Sequence, residues 1–508
     1  MFLAQKQAHL WKPIFVSVLL LSLIACSGSS DDEDATGYIK FYNASADSPA
    51  IFMTIDEDID SDADDEIERT LSGVSYASAG TRTELETQSY YLELAWQDED
   101  SSARTDLEIV YESQIDISED ETQWVIMTGS VQSPTVNIYS IPELDEDELS
   151  DDQDDDLFTL RVINLHQSIV DVDIYLSLED ETFNEAELLV SAQADLMTEK
   201  LKREQDQYKV YITQSGQSEV LFSSEDISFV TGVQYLLALR ENQGVGGSEF
   251  VVDNITSGQI TSYEALESLA NLTIYNGLNS NDLLPSYMAS VNLSIDGKTT
   301  VPSTADLSYS EFSDAFELES SDYRLSVFNN NTDEVMLQNR LISAPQNADR
   351  TVFLYWTDEA VDDDGDGDVD ENDDGIIDEI RPIVSTLTVE NSNLSRFYDK
   401  QVTMLNLLNT DTFSRVTFYF VKSDEIIDTA ENTRSLLQGT SSNMVLLNNT
   451  YQLFVVTEID NNDIILHEST LVLDQESDDL FLLLEESESS ASGYAVRVES
   501  QKTTSNDE

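Results

Sequence analysis

Residues 361–380 read VDDDGDGDVDENDDGIIDEI, and eleven of these twenty side chains are carboxylic acids. With Asp362 as position 1 of a twelve-residue calcium loop, Asp364 is position 3 and Asp366 position 5. Gly367 then falls on the turn at position 6, Asp368 offers a backbone carbonyl at 7, and Asp370 stands at 9. Ca²⁺ takes six to eight oxygens, and alternate carboxylates on a tightly turned loop supply them. Position 12 is Asp373 where a bidentate Glu binds best, so the expected affinity is in the micromolar-to-millimolar range. The spacing restarts as Asp370-x-Asn372-x-Asp374-Gly375-x-x-Asp378, which adds Asn372, Asp374 and Asp378 to the predicted ligands. The acidic runs at 56–66 and 143–156 contain no glycine and read as solvated faces or linkers.

The N-terminus places this loop in a compartment. Lys6 and Lys12 precede an apolar run from Ile14 to Ala25, too short to span a bilayer and suited to a signal peptide. The run ends in Leu23-Ile24-Ala25-Cys26, which resembles the lipobox of bacterial lipoproteins. That resemblance implies cleavage before Cys26, diacylglycerol on its thiol and anchoring in the cell envelope. Ser27 at the next position implies sorting to the outer membrane. Cys26 is the single cysteine, so no intramolecular disulfide can form.

Little else in the chain could do covalent chemistry. Beyond the leader there are two histidines, His166 and His467, and no thiol but Cys26. Ser-His-Asp, Cys-His and zinc sites are therefore disfavoured. Each histidine reads as a surface or loop residue, and Trp96, Trp124 and Trp356 as core or strand-edge aromatics before sugar platforms. Paired carboxylates for glycoside hydrolysis stay open, since 101 acids single out no pair. Against those acids stand 24 bases, a net charge of −77. Such a surface argues against nucleic acid and disfavours docking on anionic lipid, leaving the lipid anchor as the expected membrane contact.

The elements that carry these residues recur four times. A short apolar strand ends in Asn43, Asn164, Asn276 and Asn406. Tyr90, Tyr208, Tyr323 and Tyr451 follow after 47, 44, 47 and 45 residues, each heading an alternating strand. A nearly continuous apolar strand comes next (WVIM, YLLAL, VFLYW, FLLL), and a last strand closes each copy. The expected fold is all-β: four tandem β-sandwich, immunoglobulin-like domains after a lipoprotein signal peptide. In order the chain reads as signal peptide 1–25, lipidated Cys and tether 26–36, sandwich 37–142, acidic linker 143–156, and sandwich 157–256. Linker 257–268, sandwich 269–390 with the insert 361–380, linker 391–399, sandwich 400–500 and tail 501–508 follow.

Copy one continues NASADSPAIFMTID from Asn43, which resembles the bacterial domain-of-unknown-function family 4397 through Ala44, Ser45, Asp47, Pro49 and Ala50. The resemblance covers about 110 residues, and copies two to four lose the string. It implies an exported, often lipid-anchored, often tandem β-sandwich and no activity. The overlapping calcium pattern resembles the loops of thrombospondin type 3 repeats and dockerins. Taken together, the residues point to a non-enzymatic, calcium-stabilised envelope protein that binds a protein, glycan or matrix partner or acts as a surface spacer. The alternative is a lipid-anchored, carboxylate-based hydrolase of envelope or extracellular polysaccharide.

Overall fold

The computed structural model describes residues 35–57, 69–97, 107–144, 156–298, 303–361 and 379–501. Cys26 and the whole of 362–378, with every predicted calcium ligand, lie outside these residues. The described chain is all-β, as expected: it holds no α-helix, and its strands form eight sheets. The sheets face one another in pairs around four separate apolar cores, giving four sandwiches, here called modules 1 to 4. Module 4 shows the shared plan. One sheet runs Ser441–Leu447, Asp399–Asn406, Leu480–Glu486, Tyr494–Ser500; the other runs Asn432–Leu437, Arg415–Val421, Thr450–Ile459, Asn462–Val472. In every module the first strand pairs parallel with the apolar strand.

The recurring residues are turn devices. Each of Asn43, Asn164, Asn276 and Asn406 is buried and accepts, on Oδ1, the backbone N–H two residues on. This Asx turn ends the first strand and sends the chain to the opposite sheet. The carbonyls of the same four asparagines accept N–H from Ala77, Asp195, Ser310 and Gly439, all of which have positive φ. Each tyrosine donates its hydroxyl to the carbonyl four residues earlier: Tyr90 to Glu86, Tyr208 to Glu204, Tyr323 to Glu319, Tyr451 to Leu447. That is the bond of a tyrosine corner, which pins the turn entering a late sandwich strand.

The continuous apolar strands are apolar because both of their faces are covered. One face meets its own module's core. The other meets the neighbouring module: Tyr42, Trp124 and Ile126 of module 1 pack against Ile163, Leu236 and Ile255 of module 2. Tyr275, Phe353 and Tyr355 of module 3 pack in the same way against Leu405, Phe481 and Leu483 of module 4. Modules 1·2 and 3·4 are thus fused pairs, and the described residues from Thr36 onward form one compact unit. Modules 2 and 3 meet through Asn347, whose amide bonds Asn242, Gly246 and Glu264. Modules 3 and 4 reach back to module 1 through the joint at 391–398, where Tyr398 stacks on Trp96 at 4.2 Å. One expectation is corrected: 257–268 is not simply a linker. Ile260–Tyr263 pairs with Phe250–Ile255 as the outer strand of module 2, where Ile260 packs into the 1·2 interface and Tyr263 against the module 2 core.

Candidate ligand cleft between modules 3 and 4

The turn after Asn276 and the turn after Asn406 open side by side where modules 3 and 4 meet. Between them lies a cleft of about 550 Å³. Module 3 supplies Gly277, Asn279 to Asp282, Tyr309 and Trp356; module 4 supplies Asn409, the Glu485–Glu488 segment and Tyr494. Gly277 has to be glycine, since a Cβ there would lie 2.5 Å from the Leu354 carbonyl oxygen.

Behind the cleft lies a polar quartet of Tyr275, Glu485, Arg497 and Tyr309, of which Glu485 and Tyr309 reach the lining and Tyr275 and Glu485 are buried. Tyr275 donates its hydroxyl to Glu485 Oε1 at 2.9 Å, and Arg497 Nε lies 3.3 Å from Glu485 Oε2. Burial raises the Glu485 carboxyl above the ordinary carboxylate range, although Tyr275 and Arg497 act against the shift. Burial, with Glu485 nearby, pushes the Tyr309 phenol up to about 12. Two bonds tie the walls together across the modules: Asn279 Nδ2 donates to Glu486 Oε2 at 3.3 Å, and Asn409 Nδ2 to Asp358 Oδ1 at 2.9 Å.

Modules 1 and 2 hold the same quartet with its charges exchanged. Tyr42 donates to Asp253 Oδ2, Arg240 Nε meets the same oxygen at 2.8 Å, and Arg240 Nη1 donates to Tyr76 at 3.1 Å. Register aligns Arg240 with Glu485, each one residue past the paired Leu239 or Leu484, and Asp253 with Arg497, which face Ala238 and Leu483 from the adjacent strand. The chain is therefore built from two copies of a module pair.

Comparison with known protein families finds no match, and none is found among curated protein sequences. Three solved structures are similar in part. The Bacillus anthracis TIE protein is 8% identical at a TM-score of 0.15, over 90% of this chain and 75% of that one. The multi-modular glycogen-degrading pneumococcal virulence factor SpuA is 7% identical at 0.14, over 85% of this chain and 38% of that one. A candidate adhesin from Bacteroides ovatus is 10% identical at 0.13, over 46% of this chain and 97% of that one. At these scores the likeness carries no argument about function.

The other residues singled out by sequence have structural partners. His166 is buried rather than exposed: its Nδ1 accepts the N–H groups of Ser168 and Ile169, and its ring packs on Phe250. His467 is half-buried against Ser469, in another module. Trp124 and Trp356 are 6% and 5% exposed, so neither is an open stacking platform, and each contributes only the small part of its ring that lines a cleft. Asp47 of the NASADSPA string clasps Ser130 and Val131, which makes that string a turn lock in module 1. The carboxylates of the cleft escaped the sequence because acids are everywhere; only the Asn turns hinted where the cleft would open.

Proposed function

We propose that this protein is a non-enzymatic, lipid-anchored binding protein of the cell envelope that holds a hydroxyl-rich ligand, a glycan, in the cleft between modules 3 and 4. The observation that carries this reading is the lining. Side-chain amides, serine hydroxyls and carboxylates converge with two tyrosines on one concavity built from two fused modules. Amides and carboxylates match the paired donors and acceptors of sugar hydroxyls, while acid on the walls disfavours anionic ligands.

Cys26 carries the anchor, and the acidic tract beyond it is a tether. The 362–378 segment supplies calcium ligands and joins the two strands Asp349–Ala360 and Ile380–Glu390, whose base stays paired as far as Ala360–Ile380. Asp358 of that hairpin bonds Asn409 of the cleft, so calcium bound in the loop would stiffen one wall. The test is a glycan array probed with residues 27–508 in millimolar Ca²⁺ and in chelator. Selective binding that Asn409→Ala and Tyr494→Ala weaken at least tenfold supports the reading; binding that ignores both substitutions overturns it.

One observation favours a hydrolase instead: Glu485, held toward its acid form, stands beside Glu486 in the same cleft. Both Glu485 oxygens are already engaged by Tyr275 and Arg497, which weighs against a general acid. Release of new reducing ends from the bound glycan, abolished by Glu485→Gln in a folded protein, would establish it.

A further inference from the structure

The 1·2 interface holds a second cleft, of about 210 Å³, and its charge runs against that of the whole chain. Three of the 24 basic residues, Lys40, Arg82 and Arg161, line it, with Glu143 as the single carboxylate among the described residues that do so. Trp124, Tyr235 and Ile255 supply apolar wall. In a chain of net charge −77, such a cluster is held in place by structure rather than left by composition.

The three cations differ in counter-charge: Arg82 is paired with Glu143, Arg161 feels Glu199, and Lys40 meets no carboxylate among the described residues. Lys40 is 3% exposed and its Nζ donates to two carbonyls, those of Thr256 and Ser257, at 2.8 Å each. Burial, and then the neighbouring Arg82, lower its pKa to about 8. Arg161 donates Nη1 to the Thr198 carbonyl, and its buried Nε has no partner. Arg82 shows what the site accepts: its Nη2 lies 2.6 Å from Glu143 Oε1, a carboxylate already within the cleft.

The 3·4 pair is an internal control. Register makes Thr273 the equivalent of Lys40, Ala315 of Arg82 and Thr403 of Arg161. There the place of Ser257 is taken by Gln501, 3% exposed, which donates Nε2 to Thr403 at 3.1 Å. The duplicated architecture thus stands without any of the three cations, and their cost in burial is not needed to join two modules.

We propose that the cleft between modules 1 and 2 is a binding site for a ring-sized organic carboxylate, whose acid group meets Lys40 and Arg161 while its ring lies against the Trp124–Ile255 wall. The volume admits one ring with its substituent, and Arg favours the paired oxygens of a carboxylate. The site is separate from the 3·4 cleft, so either can fail without the other.

The test is calorimetric titration of residues 27–508 with glucuronate, benzoate and the neutral methyl glucoside. Saturation by an acid and not by the glucoside is expected, weakened at least tenfold by Arg161→Thr and by Arg82→Ala and unchanged by Tyr494→Ala. Arg161→Thr installs the residue that the 3·4 pair tolerates, and Arg82 is half-buried, so at least one variant should fold. Preference for glucuronate would identify a sugar acid, and preference for benzoate an aromatic one. Saturation by neither acid, unchanged affinity in both variants, or equal competition by inorganic phosphate would each overturn the proposal.

Discussion

Three of the four left-handed residues that close the Asn turns are not glycine: Ala77, Asp195 and Ser310, against Gly439. A side chain in that region costs about 1 kcal/mol, less for Asp, which tolerates it. Ala77→Gly should therefore stabilise the chain by roughly 0.5–1 kcal/mol. Gly439→Ala should cost about 2 kcal/mol or more, because strain adds to overpacking. A Cβ at 439 would come within 2.5 Å of Tyr355 Oη, across the 3·4 interface. Urea midpoints at constant m-value check both; equal and opposite shifts would mean the interface yields freely. At this scale the sequence was readable where one residue type recurs, as with the asparagines and tyrosines. The polar quartets were not readable, since Arg240 and Asp253 exchange charge with Glu485 and Arg497 and so leave no shared letter to align.

Among the elements, the joint at 391–398 is clasped at both ends by buried carboxylates. Asp349 accepts from Asn391 Nδ2 at 3.0 Å, and Asp399 lies 3.7 Å from Arg396. Burial pushes each carboxyl up to about 6, with Asn391 opposing the shift at Asp349 and Arg396 opposing it at Asp399. Since the folded pKa exceeds the unfolded value of 3.8, the folded chain binds these protons more tightly. The burial penalty is then fully present above pH 6 and is relieved as pH falls from about 6 toward 4. Stability should rise over that window by about 2 kcal/mol per group, to order of magnitude. Relief of the overall negative charge acts in the same direction, so the comparison belongs in high salt. Asp349→Asn with Asp399→Asn should flatten the dependence of Tm on pH between 4.5 and 7; a slope equal to the wild type would remove these carboxyls as its cause. The tether-like composition of this segment hid its role, because only tertiary contact reveals that Phe397 and Tyr398 pack on module 1.

For the whole molecule, four copies could be counted from strand periodicity, but their pairing could not. An apolar strand buried between two sheets of one sandwich and one buried between two modules present the same residues. The GVGG run at 244–247 was equally opaque. It is small because Asn347 comes close: a Cβ at Gly244 would lie 2.3 Å from Asn347 Nδ2, and one at Gly246 2.8 Å from its Oδ1. Asn347 spends its whole amide on that joint, bonding Asn242 twice, Gly246 and Glu264. The pairs are thus fused by apolar cores, while pair is joined to pair by this polar knot and by Phe397 and Tyr398 on module 1, where Phe397 also donates its N–H to the Asp47 carbonyl. Each link alone contributes a few kcal/mol at most, against interface cores that bury several large side chains apiece. Asn347→Ala should leave the four modules compact, because the Phe397 and Tyr398 contacts survive. Asn347→Ala with Phe397→Ala and Tyr398→Ala should release the two pairs from one another while leaving each pair folded. Small-angle scattering would then show a larger radius of gyration for the triple variant alone, with the main melting transition retained. Expansion in the single variant would make Asn347 the sole tie; collapse of the melting transition would mean that the pairs do not stand alone.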